Sequence, residues 1–128
     1  MPGGWVADER NAFEASGRTA REQEWHDHVH GLLALRRDHP QAFQGGMEHF
    51  FPKQGVYGFA REQEDVRIVT VVNAASETRE LPWPNIAPWV ADARQTMELQ
   101  ADGSRIDVLV REGDRLEPWE HRVWIVQK

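Results

Sequence analysis

Residues Trp25-His26-Asp27-His28-Val29-His30 put three imidazoles and a carboxylate into six consecutive positions, a donor set that suits zinc or a similar divalent ion. Spacing decides whether they can cooperate. On a helix each residue turns by about 100° from the last, so His26 and His30 share one side and His28 lies nearly opposite. The three cannot converge on one ion, and no third ligand or glutamate base stands near the His26/His30 pair. No metal site is expected, and the histidines read as a solvated polar face. Nucleophilic chemistry is no better served. Ser16, Ser76 and Ser104 lie in turn-like contexts without a nucleophile elbow. The absence of cysteine removes thiolates, disulfides and cysteine metal sites. Of the 21 carboxylates, Asp8 and Glu9 in the opening loop come nearest to a pair. Glycoside hydrolysis needs two carboxyl groups facing each other across a cleft, and nothing in the spacing places these so. No catalytic residue and no cofactor is expected in this chain.

Six tryptophans in 128 residues are the other chemically pointed feature. Trp5, Trp83, Trp89 and Trp119 each adjoin a glycine or a proline. A tryptophan can stack on the apolar face of a sugar ring, or it can close the end of a core with its large buried area. The second role is expected of Trp83, Trp89 and Trp119. Trp5 is the one candidate for contact with a saccharide.

The elements that must carry these residues are legible from pattern. Residues 1–18 read as loop, broken by Pro2, Gly3, Gly4, Ser16 and Gly17. Thr19-Ala20-Arg21-Glu22 has the capping-box spacing that opens a helix. Trp25, Val29, Leu32, Leu33 and the stem of Arg36 then form an apolar stripe, and Arg36-Arg37-Asp38-His39-Pro40 closes the helix. From Met47 the period shortens. MEHFFP, VYGFARE, VRIVTVVN and ETRELP read as strands of an antiparallel meander. Pro82, Pro84 and Pro88 forbid a central strand in the next segment. TMELQ, RIDVLV, DRLEP and HRVWIVQ follow, with ADGS and REGD as turns. The expected fold is mainly β: an antiparallel β-sandwich of about eight strands, preceded by a loop and one amphipathic α-helix. Two strands are apolar on both faces. Val66, Ile68 and Val72 oppose Val69 and Val71, and Val123 and Ile125 oppose Trp124 and Val126. A two-layer sandwich needs only one apolar face per strand, so these two should be covered on both sides.

Composition narrows the partners. The length fits one domain. A formal net charge of −6 and the lack of a basic run argue against nucleic acid. No apolar run reaches the roughly 20 residues that span a bilayer, so no membrane partner is expected, and the compartment stays open.

Four segments carry a family resemblance: PGGWVADERNAF, LLALRRDHPQAFQGG, GVYGFAR and VTVVNAASETRELPW. Together they resemble the tail of an α-amylase-superfamily glycoside hydrolase of the cyclomaltodextrinase and neopullulanase type. Pro2, Gly3, Gly4, Trp5, Asp8, Asn11, Ala12 and Phe13 fit the loop that follows that family's last barrel strand. Leu32, Leu33, Leu35, Arg36, His39, Pro40 and Gly46 fit the end of its final barrel helix. The likeness is specific from residue 2 to about 82 and holds in outline beyond. It implies that residues 1–45 are a remnant of the catalytic barrel, rim loop and final helix, and that 46–128 form a C-terminal β-sandwich domain. On that view the chain opens inside a longer protein.

The same resemblance implies that the nucleophilic aspartate, the acid/base glutamate and the stabilising aspartate lie before this point, so the chain as given is no enzyme. The intact parent would cleave α-1,4 linkages in cyclodextrins or short maltodextrins with retention, using carboxyl groups roughly 5–5.5 Å apart. The implied role is non-catalytic support of the barrel. A starch- or cyclodextrin-binding module and a small protein-interaction domain are the alternatives. Implied partners are the barrel, an α-glucan, and a second copy of the chain through the helix stripe. The last follows from energetics: each large side chain left exposed forfeits roughly 1.5–3 kcal/mol. The stripe of Trp25, Val29, Leu32 and Leu33 is therefore expected to dock on its own sandwich or to pair two copies.

Overall fold

The first helix, α1, spans Ala20–Asp38 in the computed structural model, which describes Gly3 and residues 5–128. Met1, Pro2 and Gly4 of the opening motif lie outside the described residues. Thr19 caps α1 reciprocally: its hydroxyl accepts from the Glu22 amide, and the Glu22 carboxylate accepts from the Thr19 amide. Arg10 forks onto the same carboxylate, which ties the opening loop to the helix start. Arg10 first, and then the Thr19 amide, hold the Glu22 carboxyl down at about 2. At the other end Pro40 starts a second, short helix, α2 (Pro40–Gln44), which the sequence pattern did not suggest. Proline suits its first position because no amide hydrogen is needed there.

Eight strands follow, one in each of the eight runs: β1 (Gly46–His49), β2 (Val56–Gln63), β3 (Val66–Asn73), β4 (Arg79–Glu80), β5 (Gln95–Leu99), β6 (Arg105–Asp107), β7 (Arg115–Leu116) and β8 (His121–Gln127). Six make one antiparallel sheet in the order β1-β2-β3-β8-β5-β6. The expected four-strand meander stops after three, because β4 crosses to the opposite layer and pairs with β7. Between β1 and β2, Gln54 (φ 51°) and Gly55 (φ 83°) make a two-residue left-handed turn, closed by Lys53–Val56 bonds of 2.9 and 2.8 Å. The three-proline segment forms a helix, α3 (Trp83–Val90). Pro82 caps it and Pro84 sits in its first turn, where a missing amide hydrogen costs nothing.

β3 and β8 are buried on both faces, as their double patterning requires. On one side Val69, Val71, Trp124 and Val126 meet Ile86, Trp89 and Val90 of α3, with Leu81 and Leu116 beside them. On the other, Ile68, Val123 and Ile125 meet Leu35 of α1 and Ala42 of α2. The sandwich of large and small sheets thus carries α1 and α2 as an outer layer. Two buried polar residues pin the layers together. Asn73 is fully buried; its Nδ2 donates to the carbonyls of Glu77, Leu116 and Glu117, and its Oδ1 accepts from the Ala75 amide. Arg67 reaches across to the end of α3.

α1 docks on its own sheet, but of the large apolar side chains in the stripe that spacing singled out only Leu32 faces it. Leu35 is 1% exposed, whereas Trp25, Val29 and Leu33 are 59%, 47% and 61% exposed. The inward face runs through His28, Gly31, Leu32 and Leu35. Gly31 allows this approach: a Cβ there would lie 2.8 Å from the Gly103 Cα in the β5–β6 turn. Arg105 of β6 then binds Asp38 at 2.6 Å.

Candidate functional site

The outer face of α1 is an exposed apolar surface. Trp25, Val29 and Leu33 stand at a spacing of four, one above the other, on a helix held rigid from behind by Leu35. Between this helix and the sheet run two shallow apolar clefts of about 340 Å³ each. One is walled by Trp25, His28 and His121, the other by Leu33, Phe43 and Phe59, and His121 borders both. The opening loop adds Trp5 and Phe13, 82% and 66% exposed.

That loop is built to present them. The Trp5 amide donates to the Asp8 carboxylate at 3.1 Å and the Asp8 amide to the Trp5 carbonyl at 3.1 Å, which closes a turn with the indole outside it. Asn11 accepts from the Phe13 amide at 3.0 Å, and Arg18 donates to the carbonyls of Ala12 and Phe13 at 2.8 and 2.9 Å. Ala12 is fully buried. Asp8, one of the two acids singled out in the sequence, is thereby engaged in shaping the loop; Glu9 is exposed.

The histidines fall as the helical wheel dictates. His26 and His30 stack with centroids 6.1 Å apart, while His28 faces inward, 5.0 Å from His121. Burial, and then the neighbouring His121, push the His28 pKa below its usual value. No group of three or more potential metal ligands occurs among the described residues.

Trp89 closes the core as expected, and its Nε1 donates to Glu48 at 3.2 Å, while Trp83 is half-buried, with one side packed against that core. Trp119 does not close it, being 68% exposed. Glu117-Pro118-Trp119-Glu120 is a turn closed at 3.1 Å, in which proline at the second position leaves the left-handed third position to Trp119 (φ 61°). The turn aims the indole away from the core. That conformation costs a non-glycine residue about 1–2 kcal/mol, against about 0.5–1 kcal/mol for glycine's greater freedom in the unfolded chain. Trp119→Gly should therefore stabilise the fold by about 0.5–1 kcal/mol in urea unfolding; a loss instead would reveal packing by the indole.

Several contributors escaped sequence reasoning. Gly31 and Leu35, with His28, form a second stripe at helical spacing, and this is the signal that marks the docking face. Arg67 gave no such sign, because a lone arginine in a strand reads as solvent-facing.

Among the described residues the arrangement is one of surfaces rather than of converging reactive groups. Residues 47–106 match the family described as the cyclomaltodextrinase C-terminal domain. The match begins in β1, just beyond the helices, and runs into β6. The match supports a C-terminal domain of an α-amylase-family enzyme over this β-rich stretch.

Proposed function

We propose that the chain is the non-catalytic C-terminal part of an α-glucan hydrolase of the cyclomaltodextrinase and neopullulanase type, and that it supports the catalytic barrel through the outer face of α1. The observation that carries this reading is the exposure of Trp25, Val29 and Leu33 on a helix whose opposite face is already docked. A helix apolar on two sides belongs between two bodies. The sheet supplies one, and the barrel supplies the other. In this reading residues 1–45 are the barrel's own rim loop and last helix, and 46–128 are the domain that steadies them. Hydrolysis of α-1,4 linkages belongs to the intact parent, and the chain alone turns nothing over.

The test is co-expression with the barrel portion of a cyclomaltodextrinase ended ahead of its PGGW loop. The two should co-purify and hydrolyse β-cyclodextrin together. Replacing Trp25, Val29 and Leu33 by glutamate should weaken association by at least about 100-fold, since one lost anchor costs roughly 1.5–3 kcal/mol. The same variant should leave the melting temperature of the chain nearly unchanged. Turnover of β-cyclodextrin by the chain alone, or a stripe occupied by a second copy in sedimentation equilibrium while the barrel stays separate, would overturn the reading.

A further inference from the structure

A cleft of about 750 Å³ opens on the α3 side of the large sheet, the side away from α1. Trp83, Val108 and Val110 form its apolar part, each packed from behind against the main core. Arg94, Gln95, Thr96, Asp107 and Gln127 supply its polar part. The topology brings these together. The Arg94 amide donates to the Gln127 carbonyl at 2.7 Å, placing the start of β5 beside the end of β8. Gln95 donates to the Asp107 carboxylate at 2.7 Å and holds it at the rim. The run RIDVLV, read from the sequence as a strand, keeps its ladder only to Asp107. After a last bond from the Val108 amide to the Thr96 carbonyl at 2.9 Å the chain leaves the sheet, and that departure opens the cleft.

Its chemistry selects a class of ligand. The lining carries one cation and one anion, Arg94 and Asp107, so it has no net charge on a chain whose formal charge is −6. Neither an anion nor a cation is favoured. The Trp89 and Trp124 indoles donate to Glu48 and Glu98, whereas the Trp83 Nε1 has no partner among the described residues. A cleft that holds an indole together with guanidinium, carboxylate and amide groups offers a flat apolar face and both donors and acceptors. A neutral polyhydroxylated ring matches that set. The volume lies within the 300–1,000 Å³ usual for small-ligand pockets.

We infer that this cleft binds a short α-glucan, with a glucose ring on Trp83 and its hydroxyls on Arg94, Asp107 and Gln127. The choice of an α-glucan among saccharides rests on the function proposed above. Because the sheet separates the cleft from α1, a barrel docked on the helix leaves it open, and the domain would hold a substrate chain near the enzyme without acting on it.

The experiment is an amide-resolved NMR titration of the chain with maltotriose, with cellotriose as the comparison. Saturable shifts are expected at Trp83, Arg94–Thr96 and Asp107–Val110 with maltotriose, and at least about tenfold weaker binding of cellotriose. Arg94→Ala and Asp107→Ala, both at exposed positions, should each weaken binding about tenfold with an unchanged melt. Trp83→Ala should abolish it, and Trp83→Phe should restore part. No saturable shift at the cleft, shifts confined to Trp5 or Trp119, or equal binding of the two trisaccharides would each overturn the inference. The glutamate variant of the α1 stripe should bind maltotriose as the unaltered chain does. Loss of barrel association with saccharide binding intact would therefore fault the support role alone, and the reverse would fault the cleft alone.

Discussion

Replacing Arg67 with alanine should destabilise the fold by about 2–3 kcal/mol, the upper part of the range for leaving buried hydrogen-bond acceptors unsatisfied. Arg67 is 8% exposed and lies on the inward side of β3 with Val69 and Val71. Its Nε donates to Glu62 at 2.6 Å, and its Nη1 donates to the carbonyls of Trp89 at 2.6 Å and Pro88 at 3.2 Å. Asp92 stands 3.4 Å away. The two carbonyls belong to the last turn of α3, where no amide follows to bond them and the helix dipole is negative. The guanidinium therefore acts as a C-terminal cap delivered from the sheet. Alanine would leave the carbonyls bare in a buried place, whereas Glu62, 41% exposed and also bound by Lys128, would turn to water. Arg67→Lys should recover less than half of the loss, because one ammonium cannot span carboxylate and carbonyls at once.

The same cluster sets an acid dependence. Lys128 first, and then Arg67, hold the Glu62 carboxyl below its ordinary value. A depressed carboxylate contributes stability that is complete above its unfolded pKa, near 4.5, and disappears as pH falls through the folded one. Urea unfolding at neutral and acidic pH should show the unaltered chain losing stability below about pH 4.5, and Arg67→Ala losing less of it there. An equal loss in both would detach Arg67 from Glu62.

Leu35→Ala should cost about 2–5 kcal/mol, and Leu33→Ala, two residues away on the same helix, no more than about 0.5 kcal/mol. Leu35 sits among Ile68, Val123 and Ile125, and truncating it leaves a cavity between helix and sheet. Leu33 faces outward. Urea midpoints of the two variants measure the difference. Equal losses would mean that α1 is packed on both sides in the isolated chain, as pairing of two copies would produce. In the proposed complex with the barrel the gap should narrow, because Leu33 would then be covered as well.

Which parts of this were readable beforehand follows from the range of the interactions involved. Local rules located the capping box at Thr19 and Glu22, the end of α1 and all eight strand runs, because caps, turns and period-two patterning act over a few residues. The double apolar patterning of Val66–Val72 and Val123–Val126 even announced a layer on each side of the central strands. The segments from PGGW to RELPW carried the family resemblance. The turn at Trp119 was not read from the sequence, where DRLEP ran as a strand through Pro118, and core closure was expected of Trp119 where its indole faces water.

Other features came only with the folded chain. The stripe expected from spacing, Trp25, Val29, Leu32 and Leu33, divides in the fold: Leu32 joins His28, Gly31 and Leu35 on a second, inward stripe, and Trp25, Val29 and Leu33 stay outside. The sheet chose the second, because Gly31 alone lets the helix backbone approach Gly103 and because Arg105 waits for Asp38. The capping role of Arg67 joins residues 21 and 22 positions apart, and the cleft at Trp83 joins α3, β5, β6 and β8. The sequence by itself determined the first helix, the eight strand runs and the likeness of the β domain to a known family, but neither α2 nor α3. Tertiary structure decided which face of each element meets which neighbour, because that choice minimises exposed apolar area and unpaired polar groups over the whole chain at once, and no local window contains both partners.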